Sequence, residues 1–274
     1  MDSLSFSQAF AIAVIEGLTE FLPISSTAHM KFANPLLGIA HTPFSNLFEV
    51  VIQLSAILAV VTFYWKKFFL PKNNGEKRIA FYIKLIIAVV PALVAGFFLK
   101  KYIDNALNNL TFIACVMVAG GIVFLFIDNV FKNPVIDAEE KITNKNAFVI
   151  GCGQVLAIVF PGLSRSAATI ITGLSQKLTR SEAAEFSFFL AVPTMFAASA
   201  KSFWDTYKES PEVFGVSNLG TLLIGSLVSF LVALIAIKFF IGILKKYGFR
   251  IWGVYRIAVG IIMLTLIWNN VISD

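Results

Sequence analysis

Charge is scarce in this chain: Asp, Glu, Lys and Arg make up 14% of its 274 residues, against about 25% in a soluble domain. Histidine is scarcer still, at two copies. The two cysteines, Cys115 and Cys152, stand far apart in apolar runs. That spacing excludes a disulfide framework and a cysteine-based metal site, and two free, buried thiols are expected. The first residues, Met1-Asp2-Ser3-Leu4-Ser5, carry no basic stretch, so no cleavable signal sequence is expected. What the chain has in abundance is apolar side chains, at 58% of residues with a mean hydropathy of +0.82. This is the composition of a polytopic membrane protein, and its length makes one bundle rather than several domains. The net charge of +6 suits anionic lipid headgroups rather than nucleic acid.

A membrane crossing needs about 20 apolar residues. Six segments qualify: 44–65, 79–99, 110–131, 183–203, 219–241 and 252–269. Lys84 and Asp128 lie near span ends, where snorkelling to the interface accounts for them. Two further apolar stretches are too short. Residues 8–22 are interrupted by Glu16 and Glu20 and stop at Pro23; residues 147–160 stop at Pro161-Gly162. Both read as half-helices that enter and turn back, which is tolerated at membrane depth where the backbone is buried in protein. The fold expected is therefore all-α, with six transmembrane helices plus two re-entrant helical hairpins.

The two short stretches mark an internal repeat. Aligning Pro23 with Pro161 sets Glu16 over Gln154 and brings Ser25 and Ser26 near Ser164. Each half is a broken hairpin followed by three spans, and an odd number of crossings inverts the second half relative to the first. The division is 1–131 for the first repeat, 132–146 for a cytoplasmic connector and 147–269 for the second repeat. Of the 22 Lys and Arg residues, 13 fall in 66–78, 132–146, 173–180 and 241–251, including the basic turn with Pro71, Lys72 and Asn73-Asn74-Gly75. Five fall in the opposite loops and four within membrane segments. The positive-inside rule then places both chain ends outside, with the first hairpin entering from outside and the second from the cytoplasm.

The chemistry concentrates in the two breaks. Glu16 and Glu20 are one helical turn apart, and two buried acids repel unless a proton or cation intervenes, so a divalent metal or Arg165 is their natural partner. Arg165, between Ser164 and Ser166 and followed by Thr169, has the donors of a phosphate clamp. Ser25, Ser26 and Thr27 form a hydroxyl cluster, and His29, three residues after Ser26, makes a nucleophile–base pair available. Ionisable groups at membrane depth mark function by default. Glu49 and Glu185, a short way inside their spans, either serve the site or pair with polar neighbours.

The two motifs, Glu16-Gly17-Leu18-Thr19-Glu20-Phe21-Leu22-Pro23-Ile24-Ser25-Ser26-Thr27-Ala28-His29 and Pro161-Gly162-Leu163-Ser164-Arg165-Ser166-Ala167-Ala168-Thr169, resemble the paired signatures of the undecaprenyl-diphosphate phosphatase, or bacitracin-resistance, family. The resemblance covers essentially the whole chain. Ala28 and Ala167 stand where the family often carries glycine. The resemblance implies hydrolysis of undecaprenyl diphosphate to the monophosphate, which recycles the lipid carrier of peptidoglycan synthesis. It also implies a divalent cation, magnesium or calcium, for which Glu16 and Glu20 are the candidate ligands. Glu20, Ser26, His29 and Arg165 are the candidate catalytic residues; Ser25, Thr27, Ser164, Ser166 and Thr169 are the candidate substrate-binding residues. Ser26, His29 and a metal-bound water stay open as nucleophile, with Ser26 preferred and His29 as its base. The expected partners are the polyprenyl diphosphate and membrane lipids, with a homodimer also compatible. The expected location is the bacterial plasma membrane, with the site opening outward.

Two other classes compete. A transporter or flippase for a phosphate-bearing lipid also uses inverted repeats and broken helices, but needs no nucleophile–base pair. Lipid phosphatases with a two-histidine mechanism need a histidine after Ser-Arg, and none follows Ser164-Arg165. An intramembrane serine protease has no use for the Ser-Arg-Ser clamp.

Overall fold

The computed structural model describes residues 4–70 and 75–272. Met1–Ser3 and Pro71–Asn74 of the basic turn lie outside the described residues. Within them the chain forms twelve α-helices and no named strand: α1 (Phe6–Thr19), α2 (Ser26–Leu36), α3 (Pro43–Phe63), α4 (Trp65–Phe69), α5 (Gly75–Phe98), α6 (Lys100–Leu107), α7 (Leu110–Val130), α8 (Asn144–Val159), α9 (Arg165–Ser175), α10 (Arg180–Glu209), α11 (Val216–Tyr247) and α12 (Arg250–Trp268). Six of them, α3, α5, α7, α10, α11 and α12, are long and apolar enough to cross a membrane. The chain is a multi-pass membrane protein.

Local sequence sets the helix starts. Ser5 with Gln8, Thr42 with Ser45 and Thr143 with Asn146 form reciprocal caps on α1, α3 and α8, satisfying N–H groups that hydrocarbon could not. Several expectations need correction. Helix α2 runs on to Leu36, so Lys31 lies on a helix and not in a loop. The short helices α4 and α6 extend the ends of neighbouring spans. Both thiols are free but exposed on the surface of the bundle, because the outside of a membrane bundle is as apolar as its core.

Packing joins early helices of the chain to late ones. The short α1 lies on α11 and the short α8 on α5, while α7 packs along α12 and α3 against α10. Close approach depends on glycine: a Cβ on Gly17 would meet the Ser229 carbonyl at 2.6 Å, and one on Gly151 would collide with the Ala88 carbonyl. Phe21, Phe186, Phe188, Phe189 and Phe240 fill the shared core, all at 1% exposure or less.

Polar side chains at the span ends bind one another. The Lys84 ammonium is buried and donates to Glu139 Oε1 at 2.8 Å and to the Glu139 carbonyl at 2.9 Å, so it is pinned to the connector rather than snorkelling. Asp128 does the same, pairing with Arg180 and accepting from the Phe249 N–H. Glu49 accepts from Asn34 and Glu185 from Lys67, so each pairs with a polar neighbour.

Candidate active site between two helix breaks

Helix α1 ends at Thr19 and α2 starts at Ser26; α8 ends at Val159 and α9 starts at Arg165. The two restarts share one construction. Ser25 and Ser164 both adopt left-handed backbone angles, at φ 70° and 77°, and both accept a bond from the N–H three residues on, Ala28 and Ala167. Such a conformation costs a non-glycine residue about 1–3 kcal/mol and persists only where surroundings enforce it. Ala28 and Ala167 themselves are helical, so alanine fits where the family often has glycine. Ser26 and Arg165 therefore occupy the equivalent first helical position of each half, and both eleven-residue helices aim their positive ends at the space between.

The breaks are stitched together by donors that answer their freed carbonyls. Arg256, fully buried on α12, donates from Nη1 to the carbonyls of Pro23 (3.1 Å) and Leu163 (2.9 Å) and from Nη2 to Gly162 (2.8 Å). Ser166 donates to the Leu22 carbonyl at 2.9 Å. Gly162 sits at φ +96°, and a Cβ there would meet the Ile113 carbonyl at 2.5 Å, so only glycine fits. An unanswered carbonyl in lipid costs several kcal/mol, which is why a desolvated guanidinium is tolerated at this point.

A cavity of about 110 Å³ opens between the breaks, lined by Glu20, Ser25, Ser26, Thr27, Gln53, Ser164, Arg165 and Met195. Glu20 is its centre. Its Oε2 accepts from the Ser26 hydroxyl at 2.6 Å and its Oε1 from Arg165 Nη2 at 3.0 Å. Arg165 Nη1 donates to the Ser187 carbonyl at 3.0 Å, which fixes the plane of the fork. A hydroxyl, a carboxylate able to take its proton and a guanidinium thus converge on one small space.

Three of the sequence expectations are redrawn. His29 does not meet Ser26: its Nδ1 lies 2.7 Å from the Ser25 carbonyl, which only accepts, so Nδ1 carries the proton and Nε2 accepts from Tyr255 Oη at 2.9 Å. One helical turn brings Ser25, not Ser26, under the histidine. Ser166 and Thr169 line neither this cavity nor the one beside it; Ser166 is spent on Leu22, and Thr169 bonds the Arg165 carbonyl and Ser187 Oγ. Glu16 is fully buried behind the cavity, and neither of its oxygens has a hydrogen-bond partner among the described residues.

Sequence reasoning passed over Tyr255, Arg256 and Met195. For Arg256 a signal existed, an arginine deep in an apolar run; for Tyr255 and Met195 there was none.

The fold and site define an all-helical integral membrane protein with a hydroxyl–carboxylate–guanidinium centre between two broken helices. A family model described as bacitracin resistance protein BacA matches residues 9–262. The chain is 47% identical over 263 residues, 96% of each chain, to a Flavobacterium psychrophilum protein named undecaprenyl-diphosphatase. It is 48% identical over 260 residues, 94% of this chain and 95% of the other, to a Flavobacterium johnsoniae protein of that name. A Porphyromonas gingivalis protein, also so named, is 45% identical over 279 residues, covering 98% and 99%. The chain belongs to the BacA bacitracin resistance family.

Proposed function

We propose that this chain hydrolyses undecaprenyl diphosphate to undecaprenyl phosphate and inorganic phosphate, recycling the lipid carrier of peptidoglycan synthesis and so conferring bacitracin resistance. The observation that carries the chemistry is the Ser26 hydroxyl, 2.6 Å from a carboxylate that also holds Arg165. Ser26 Oγ attacks the terminal phosphorus as its proton passes to Glu20. The bridging P–O bond breaks, and its electron pair leaves with the prenyl phosphate. Water then cleaves the phosphoseryl ester and releases phosphate. Arg165, always charged, offers its fork to the phosphoryl oxygens and stabilises the charge that accumulates there. A phosphate competes with Glu20 for that guanidinium, so substrate entry frees the carboxylate to take the Ser26 proton. His29 acts through Ser25, holding the strained turn that presents Ser26. A flippase would need the arginine but not the Ser26–Glu20 pair.

The residues fit a divalent cation. Glu16 offers two unpartnered buried oxygens one turn from Glu20, a hard-oxygen donor set suited to magnesium or calcium. Among the described residues no group of three or more His, Cys, Asp or Glu forms a cage, so Glu16 and Glu20 are the residues that would hold the ion. Bound there, a cation would supply charge neutralisation for the diphosphate. The test of the function is phosphate release from a purified prenyl diphosphate, with and without chelator. No release from the metal-loaded protein overturns the hydrolase reading; full activity after exhaustive chelation overturns the cation.

Arg165→Lys keeps the charge but loses the planar fork. Turnover is expected to fall at least about tenfold, or ~1.4 kcal/mol. A near-normal rate would show that a point charge suffices.

The same reading takes residues 1–131 and 147–269 as two inverted halves joined by 132–146. The crosswise packing of α1 on α11 and α8 on α5 supports it, as do the matched caps at Ser25 and Ser164. It also sets the protein in the bacterial plasma membrane with the site open to the outer face. In support, a cavity beside Arg165 is bordered by Leu107 of α6, in the connection carrying Lys100 and Lys101, which belongs to the basic-poor side. With Cys115 and Cys152 changed to serine and one cysteine placed at Thr27, a membrane-impermeant thiol reagent should label intact cells stripped of outer barriers. Labelling only in inverted vesicles would reverse the orientation.

A further inference from the structure

The small cavity at Ser26 is not alone. On the far side of Arg165 lies a second one of about 160 Å³, and Ser25, Thr27, Ser164 and Arg165 line both. Gln154 of α8 forms part of its wall at 1% exposure. Thr194 Oγ1 approaches Gln154 Oε1 at 3.4 Å, but Nε2 has no partner among the described residues. A buried amide nitrogen left unpaired is costly unless something occupying the cavity accepts from it. Beyond these polar groups the wall turns apolar, with Ala92, Leu107, Ala157 and Ile158 from α5, α6 and α8. The Ser26 cavity is lined by polar residues apart from Met195, and no aliphatic side chain borders it.

We propose that the Gln154 cavity seats the prenyl-linked phosphate of the substrate and keeps the prenyl monophosphate after cleavage, with Gln154 Nε2 as its donor. The Ser26 cavity holds the terminal phosphoryl group. The inference rests on the phosphatase reading and adds the orientation of the diphosphate to it. Two lobes sharing one guanidinium match two phosphoryl groups sharing one bridging oxygen. The aliphatic side chains that could face the first isoprene unit stand on the Gln154 side. Orientation follows: Ser26 meets the terminal phosphorus, and the bond that breaks leaves its electron pair on the phosphate held by Gln154 and Arg165. Gln154 therefore meets charge that grows during the reaction, so it stabilises both leaving group and product.

The test separates the two lobes with two inhibitors, farnesyl monophosphate and inorganic phosphate, against farnesyl diphosphate hydrolysis by the purified full chain. Gln154→Met keeps the side-chain length and removes the donor. Its inhibition constant for farnesyl monophosphate is expected to rise at least about tenfold, ~1.4 kcal/mol. The constant for inorganic phosphate should stay within about twofold, since that lobe keeps its arginine and hydroxyls. Gln154→Glu, which sets a carboxylate against the phosphate, should weaken farnesyl monophosphate further. Should Gln154→Met fail to fold, Ala157→Leu fills the apolar wall and should also weaken the prenyl product while sparing phosphate. Equal shifts for both inhibitors, or no shift for either, overturn the proposal. If the wild type releases no phosphate from farnesyl diphosphate, the phosphatase reading is what fails. The site is then judged by whether farnesyl monophosphate raises the melting temperature of the wild type and not of Gln154→Met.

Discussion

Ser26→Ala is expected to lose at least about a thousandfold in turnover, ~4 kcal/mol, while still binding lipid diphosphate. The binding groups are separate from the nucleophile: Arg165 and the N-terminal ends of α2 and α9 remain when the hydroxyl is gone. Ser26 caps nothing, because the α2 cap is Ser25, so the fold should tolerate alanine. A brief quench of wild-type protein with prenyl diphosphate labelled on its terminal phosphate should leave label on Ser26, and none on the alanine variant. Glu20→Gln removes the proton acceptor and should cost about 10²–10⁴-fold, the range of a general base. A Ser26→Ala variant that keeps a tenth of the rate would shift attack to water and make the 2.6 Å bond to Glu20 a structural one.

Arg256→Met is expected to have the second large effect, on stability and turnover together. The substitution keeps a long apolar stem in a site at 0% exposure and removes every donor to the carbonyls of Pro23, Leu163 and Gly162. Each charge-assisted bond contributes about 1.5–3 kcal/mol and each carbonyl left dry costs about 1–3 kcal/mol. Removing the buried charge recovers part of that, so a net loss of several kcal/mol is expected, read as a lowered melting temperature in detergent. The kcat should fall further than the folded fraction does, because these bonds set the spacing of Ser26 from Arg165. Gly120→Ala is an independent check: its Cβ would meet Arg256 Nη2 at 2.5 Å and push the guanidinium off its carbonyls without removing it. If both variants melt and turn over as the wild type does, the two breaks hold their spacing without Arg256.

The basic residues cluster at one end of the spans, and the polar contacts gather at the two ends. Asp128, Arg180 and Phe249 meet at one end of their spans, and Asn34 and Glu49 meet at the other. The two helix breaks were legible in the sequence, through Pro23 and Pro161, and their alignment set Ser25 and Ser26 near Ser164 without choosing between them. The structure pairs Ser25 with Ser164, and so Ser26 with Arg165, because the cap follows the proline by two residues in the first break and by three in the second.

The sequence by itself determined the class of the protein and where its chemistry lies. Apolar runs of membrane length can only be spanning helices, and carboxylates, hydroxyls and an arginine at membrane depth are too costly to be incidental. It could not determine who pairs with whom inside that cluster. His29 is within a turn of Ser26 in the sequence, yet Ser25 adopts a left-handed turn that gives the histidine its own carbonyl and swings Ser26 toward Glu20. It could not show that Arg165 reaches Glu20 across 145 positions, or that Arg256 joins Pro23 to Leu163, 140 residues on. Periodicity and propensity are local, whereas these bonds exist only once α1 lies on α11, α8 on α5 and α12 on α7.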